Sequence, residues 1–243
     1  MAANAALLGE RPLRALLLGV TPDVANLPWP SRSKLLAVDS SAPMVKGVWP
    51  GDAPEVRWGV CGNWLEPPCR DSSLDIVTGD GSINCLRYPE TSRALAASIH
   101  RALRRDGVLI LRVYAQPERK EEPEEVFEDA LCRRIPTFTQ FKFRLLMAAQ
   151  LSTAEGICVD DVYQLWVRHM ARYPDVADRT GWHPAEIDSI GLYSGAATLH
   201  TFPKLAESRS LLAEFFDEVT VSIPSYYLGE RCPTLVLRPK VLD

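Results

Sequence analysis

Gly19 and Asp39 stand twenty residues apart, each closing an apolar run: Leu16-Leu17-Leu18 precedes the glycine, and Leu35-Leu36-Ala37-Val38 precedes the acid. A glycine at the end of such a run lets the backbone come close to a ligand. A carboxylate about twenty residues further on can bind the hydroxyls of a ribose. The spacing is that of a nucleotide-binding βαβ unit. With a single glycine in the loop Gly19-Val20-Thr21, these residues alone leave the kind of nucleotide open.

Other polar residues fall where chemistry is possible. Gly62-Asn63-Trp64 follows a third apolar run, and the Asn63 side-chain carbonyl can accept from an amino group. Gly79-Asp80-Gly81-Ser82 follows a fourth. There Asp80, between two glycines, has room to meet a ligand; the plainer role is a turn aspartate that holds its own loop. His183, between Trp182 and Pro184, reads as a base or as a helix cap, and His200 is a further base. Arg144, inside an apolar helical segment, either anchors a substrate carboxylate or serves as an ion-pair strut. Tyr193, with Tyr226 and Tyr227, lines a pocket or packs. Asp80 with Asn84 is too small a set for a metal, so no metal is expected.

These residues need elements to hold them. Apolar runs at 14–19, 34–39, 56–61, 73–78 and 108–113 read as buried parallel strands. Thr21-Pro22-Asp23 starts a short helix, which Pro28-Trp29-Pro30 stops. Residues 42–48 allow one or two helical turns, and 90–105 carry an amphipathic pattern through Leu95, Ala96, Ile99, Ala102 and Leu103. The charged block at 116–128 reads as a solvated loop leading into a helix. Helices are expected over 139–149 and 159–171, an irregular segment over 174–195, a helix over 204–216, and an antiparallel hairpin from 216–222 and 232–237. The predicted fold is α/β: a doubly wound, mostly parallel seven-stranded sheet with a terminal antiparallel hairpin. Residues 1–243 form one domain in this reading, with 116–203 as a helical insertion that serves as a substrate lid.

Composition narrows the classes. The 243 residues are 47% hydrophobic and 24% charged, ordinary for a soluble globular chain. A net charge of −4 argues against nucleic acid as the main partner, although a local basic patch can survive that average. The six cysteines show no zinc-ligand spacing; Cys61 and Cys85, in or beside buried strands, read as small apolar residues in a reducing cytoplasm. The first ten residues lack signal-peptide features, and no apolar run approaches the roughly 20 residues of a membrane span.

Taken together, the loops and the strand order resemble the class I S-adenosylmethionine-dependent methyltransferase family over residues 14–115 and 204–238. The Leu-Gly-Val-Thr-Pro loop resembles a bacterial small-molecule subgroup that has it in place of an acidic-Gly-x-Gly-x-Gly loop. The resemblance implies that Gly19, Val20 and Thr21 meet the methionine part of S-adenosylmethionine. It implies that Asp39 holds the ribose, with Ser40 or Met44 beside the adenine. Gly62, Asn63 and Trp64 would meet the adenine edge; Asn63 stands where an aspartate is common. Asp80, Gly81 and Ser82 would face cofactor and acceptor. The methyl group of the cofactor is already electrophilic, so the protein's task is to align a nucleophile and remove a proton. Asp80, His183 and His200 are the candidate bases; Arg144 and Tyr193 are candidate substrate contacts. The acceptor is expected to be oxygen or nitrogen of a small molecule.

Two rival classes share parts of the pattern. A nicotinamide oxidoreductase would carry a fuller Gly-x-Gly-x-x-Gly loop and a parallel sixth strand. A noncatalytic binding or scaffold protein would keep the fold, and the missing glycines motivate it. The chain lacks the Asn-Pro-Pro-Tyr type loop of base-methylating enzymes. Arg101, Arg104 and Arg105 read as a solvated helix end.

Overall fold

The computed structural model describes residues 11–241 except Ala171 and Pro174; the first ten residues, Ala171 at the end of an expected helix and Pro174 at the start of the irregular segment lie outside the described residues. The expected parallel strands form. They are β1 (Arg14–Leu18), β2 (Lys34–Asp39), β3 (Arg57–Cys61), β4 (Leu74–Asp80) and β5 (Leu103–Arg112), with α1 (Pro22–Ala25), α2 (Ala42–Gly47) and α3 (Glu90–Ala102) between them. The segment expected to be an insertion holds α4 (Pro123–Leu131), α5 (Phe138–Ala149), β6 (Ile157–Cys158), α6 (Val159–Met170), α7 (Val176–Thr180), α8 (Pro184–Asp188) and β7 (Leu199–His200). The chain then closes with α9 (Leu205–Leu212), β8 (Phe216–Ser222) and β9 (Thr234–Pro239).

The seven-stranded sheet has the order β3-β2-β1-β4-β5-β9-β8, and β6 pairs with β7 in a separate two-stranded ribbon. Strands β1 to β5 are parallel, while β9 runs antiparallel to both β5 and β8. Alternation along β1 sorts its side chains to two faces. Leu16 and Leu18 join the face covered by Leu95, Ile99 and Leu211; Ala15 and Leu17 join the face covered by Val24 and Ala25. The insertion has its own apolar cluster around Phe138, Phe141, Trp166 and Trp182.

Several boundaries differ from expectation for local reasons. Strand β4 runs on through Gly79 and Asp80, which pair with Leu111 and Arg112, so these two residues belong to the sheet and not to a loop. The Asp106-Gly107 turn signal is real but sits inside β5: Leu74 pairs with Leu103 and Ile76 with Val108, so residues 104–107 bulge out. The segment expected to be irregular carries α7, α8 and a 3₁₀ turn over Ser189–Tyr193. Cys61 and Cys85 are exposed and not core residues; Cys232 is the buried one.

Glu121 also departs from the reading of 116–128 as a solvated face. Its carboxylate lies between Arg144 Nη2 and Arg231 Nη1, each 2.6 Å away. Arg144 further reaches Asp129 at 2.9 Å and the Tyr227 hydroxyl at 2.7 Å. Burial opposes ionisation of Glu121, but the two guanidinium groups outweigh it and hold its carboxyl below the usual range. This network ties the insertion to the turn before β9. No described helix is long and apolar enough to cross a membrane.

Candidate functional site

The sheet order reverses at β1: β2 and β3 lie on one side, β4 and β5 on the other. In open α/β sheets ligands bind at this switch point, outside the carboxyl ends of the strands. Gly19, Asp39, Gly62 and Asp80 all stand on that edge, because the register pairs Leu18 with Val38 and Gly79, and Asp39 with Cys61.

Gly19 has φ +99°, a conformation that an L side chain resists. Its amide donates to the Val38 carbonyl at 2.8 Å, and the Trp64 indole Nε1 donates to the same oxygen. An added Cβ at Gly19 would lie 3.8 Å from Asp39 Oδ2 and 3.9 Å from Trp64 Cζ2. Glycine, carboxylate and indole therefore meet at one point, and Gly19 itself is buried beneath the other two. Trp64 borders the space in which the sequence suggested a close backbone approach. Asp39 Oδ1 accepts from the Ser41 amide at 2.8 Å, leaving Oδ2 turned toward Gly19. Ser41 Oγ in turn caps α2 through the Met44 amide.

The remaining residues of this half are peripheral. Val20 is buried, so only its backbone can face a ligand, and Thr21 begins α1 without a side-chain cap. Ser40 and Met44 are exposed; the Ser40 carbonyl accepts from the Cys61 thiol. A Cβ at Gly62 would press on Val38 Cγ1 at 3.1 Å. Asn63 Oδ1 accepts from the Leu65 amide at 3.0 Å and so holds its own turn.

The Asp80 half is closed rather than open. Arg112 donates to both carboxylate oxygens, through Nε at 2.6 Å and through Nη2, and the Tyr114 hydroxyl donates to Oδ1 at 2.8 Å. Burial and the Asp80 charge push the Tyr114 hydroxyl well above its ordinary range. The room expected beside Gly79 and Gly81 is occupied: a Cβ on Gly81 would lie 2.2 Å from the Tyr114 ring, and one on Gly79 would lie 2.2 Å from Ser82 Oγ. Ser82 is buried, and among the described residues its hydroxyl has no hydrogen-bond partner.

Beyond Ser82 the chain builds a polar bracket that the sequence did not announce. Buried Asn84 donates to the carbonyls of Tyr114 and Thr201, both at 2.7 Å, and accepts from the Tyr114 amide at 2.9 Å. It thereby fastens the end of the insertion to the carboxyl edge of the sheet. Next to it, Cys85 Sγ lies 3.9 Å from His200 Nδ1. Burial and the charge of Asp39 push the Cys85 thiol up to about 11. Cys85 is exposed at its surface, and its thiol lies close enough to Asp39 to feel that charge. His200 is half-buried; burial lowers its pKa below 6.5, and the Asn84 carbonyl partly opposes this. Its imidazole is therefore largely neutral at pH 7.

The other predicted contacts lie elsewhere. His183 is exposed, and its Nδ1 accepts from the Ala185 amide as the cap of α8. The guanidinium of Arg144 is taken up by Glu121, Asp129 and Tyr227, which leaves it no free face for a substrate carboxylate. Tyr193 is half-buried on the insertion's apolar cluster with the Lys142 ammonium 5.4 Å from its ring centre. Among the described residues no group of three or more His, Cys, Asp or Glu side chains is arranged to hold a metal ion. Arg112 was the residue most open to detection in advance. A cation closing an apolar strand, beside a strand that ends in Asp80, is a cross-strand ion pair in waiting.

Similarity to solved structures extends across this whole arrangement. The chain aligns with an S-adenosylmethionine-dependent methyltransferase of Methanosarcina mazei at 11% identity, covering 100% of this chain and 99% of that one, with a TM-score of 0.54. The fold is the Rossmann-like methyltransferase fold. A Burkholderia thailandensis 1,6-didemethyltoxoflavin-N1-methyltransferase, solved with 1,6-didemethyltoxoflavin and S-adenosylhomocysteine, is similar at 16% identity over 99% of this chain and 76% of that one, with a TM-score of 0.55. A Rhodobacter sphaeroides protein described provisionally as a Zn-dependent alcohol dehydrogenase gives 12% identity, 98% and 89% coverage, and a TM-score of 0.58. At these identities the likeness is one of fold. No protein-family model and no curated protein sequence matches the chain.

Proposed function

We propose that the protein is a cytoplasmic S-adenosylmethionine-dependent methyltransferase acting on oxygen or nitrogen of a small molecule. The observation that carries the reading is the meeting of Asp39 Oδ2 and the Trp64 indole above Gly19, at the switch point of a methyltransferase-type sheet. The residues fit the cofactor. Asp39 keeps one oxygen for its own loop and offers the other to ribose hydroxyls. Trp64, pinned through Nε1 to Val38, offers an indole against which the adenosine can pack. When bound, S-adenosylmethionine supplies an activated methyl group.

On this reading Asp39 and Trp64 orient the nucleoside, and the insertion walls the acceptor off from bulk water. Asp80 holds Arg112 and Tyr114 in place, with both of its oxygens engaged. Of the histidines, the neutral His200 beside Cys85 is the one suited to receive the acceptor's proton, while His183 spends a ring nitrogen on capping α8. One arrangement favours a second reading, a noncatalytic binding protein: Gly19 lies covered by Trp64, and Asp80 is locked by Arg112.

Isothermal titration with S-adenosylmethionine and S-adenosylhomocysteine decides between them. Binding of both, followed by transfer of a tritiated methyl group into the small-molecule fraction of a cell extract, supports the enzyme. Absence of heat with either compound overturns it.

A further inference from the structure

At the opposite, amino-terminal edge of the sheet lies a concavity of about 610 Å³. Arg14 and Lys34 open β1 and β2 and are register partners, so they stand on neighbouring strands about 4.8 Å apart. Arg32 and Arg70 complete a ring of four cations around the hollow. The acids of this region are already committed. Asp75, buried, takes Arg11 at 2.7 Å, the Arg14 amide at 2.8 Å and Arg104 at 3.8 Å. Asp71 takes Arg101 at 3.2 Å, and Asp106 takes Arg104 at 3.3 Å and Arg11 at 3.5 Å.

Among the described residues, the side chains of Arg14, Arg32, Lys34 and Arg70 form no ion pair or hydrogen bond. Among the described residues, four exposed cations without a direct partner therefore share one hollow with Asp71 and Asp75, whose carboxylates pair with other arginines, in a chain whose net charge is −4. Like charges at this spacing repel, and a compact multivalent anion relieves the repulsion. Three of the four are arginines, whose planar fork matches phosphate oxygens. Among the described residues no aromatic side chain lines the hollow, so they offer contacts to an anion and none to a stacked base.

We propose that this amino-edge hollow, ringed by Arg14, Arg32, Lys34 and Arg70, binds an oligophosphate group. It lies a full strand length from Gly19 and Asp39, and it stands whether or not the carboxyl edge holds a methyl donor. Inorganic tripolyphosphate is the probe, titrated calorimetrically at low and at physiological salt into wild type, R14E/K34E and the charge-matched control R87E/K120E. Wild type should bind, more weakly at the higher salt. R14E/K34E should lose at least about tenfold in affinity, the worth of two exposed ion pairs, and the control should match wild type.

The neutral pair R32Q/R70Q should weaken binding as well, which keeps the test decisive if charge reversal harms the fold. ATP separates the two sources of the group: equal affinity assigns a bare phosphate chain, and tighter ATP binding that R14E/K34E abolishes assigns a nucleotide's phosphates. The proposal is overturned if wild type does not bind, if both charge-reversed variants weaken equally, or if a single-stranded RNA dodecamer binds more tightly than tripolyphosphate. That last outcome would make the hollow a nucleic-acid surface.

Discussion

Gly81→Ala and Gly19→Ala separate two uses of glycine on the same sheet edge. Both residues have positive φ, +64° and +99°, so each alanine incurs a backbone strain of about 1–2 kcal/mol. At Gly19 the new methyl reaches only ordinary contact, 3.8 Å from Asp39 and 3.9 Å from Trp64, and nothing further is expected. At Gly81 it lands 2.2 Å from the Tyr114 ring. That ring cannot yield cheaply: its hydroxyl is bonded to Asp80, its edge packs on Phe143 at 4.5 Å, and Asn84 holds the Tyr114 amide and carbonyl. Overpacking adds about 1–3 kcal/mol and the lost hydroxyl bond about 1 kcal/mol. Gly81→Ala should therefore cost about 3–6 kcal/mol against about 1–2 for Gly19→Ala. At this chain length that is a fall in unfolding midpoint of roughly 6–24 °C against roughly 2–8 °C. Thermal unfolding followed by circular dichroism reads both. In a Tyr114→Ala background the cost of Gly81→Ala should shrink to the backbone strain alone. Equal costs for the two glycines, or an unchanged cost in the Tyr114→Ala background, would refute the reasoning.

Three further outcomes follow from the ion network and the Cys85 thiol. Glu121→Gln leaves Arg144 and Arg231 buried without their shared charge and should destabilise by about 3 kcal/mol in urea unfolding; a loss under 1 kcal/mol would contradict it. Because the folded state lowers the Glu121 pKa from 4.5, its contribution is full above that value and is lost as pH falls through the lower folded value. The stability gap between wild type and Glu121→Gln, measured across acid pH, should hold near neutrality and close in acid. With its pKa pushed up to about 11, Cys85 should be alkylated slowly by iodoacetamide at pH 8 and faster as pH rises, and S-adenosylhomocysteine should slow the reaction further. Rapid labelling at pH 7, read by mass spectrometry, would contradict the raised pKa.

The strands were legible because buried parallel strands leave continuous apolar runs, and β2 and β8 keep their expected bounds. The glycine and acid of the first βαβ unit were legible for a related reason: strand ends carry punctuation. What escaped was pairing between distant segments. Nothing within the 116–128 block marks Glu121 as different from its solvated neighbours, since its partners Arg144 and Arg231 come from other parts of the chain. Gly79-Asp80-Gly81 suggested room for a ligand, and only the fold brings Tyr114 in to fill it. His183 and Arg144 were candidates by residue type, but capping and ion pairing absorb them. The basic hollow at the amino edge, assembled from residues 14, 32, 34 and 70, is invisible to a net charge of −4.

The central claim is that Asp39 and Trp64 hold an adenosyl cofactor, and titration of S-adenosylhomocysteine into wild type and Asp39→Asn tests it most directly. The asparagine can keep the bond from the Ser41 amide while removing the charged acceptor that faces Gly19. Wild type should bind, and Asp39→Asn should bind about 10- to 100-fold more weakly with an unchanged unfolding midpoint. Equal affinity in the two proteins, or no binding by wild type, would contradict the account.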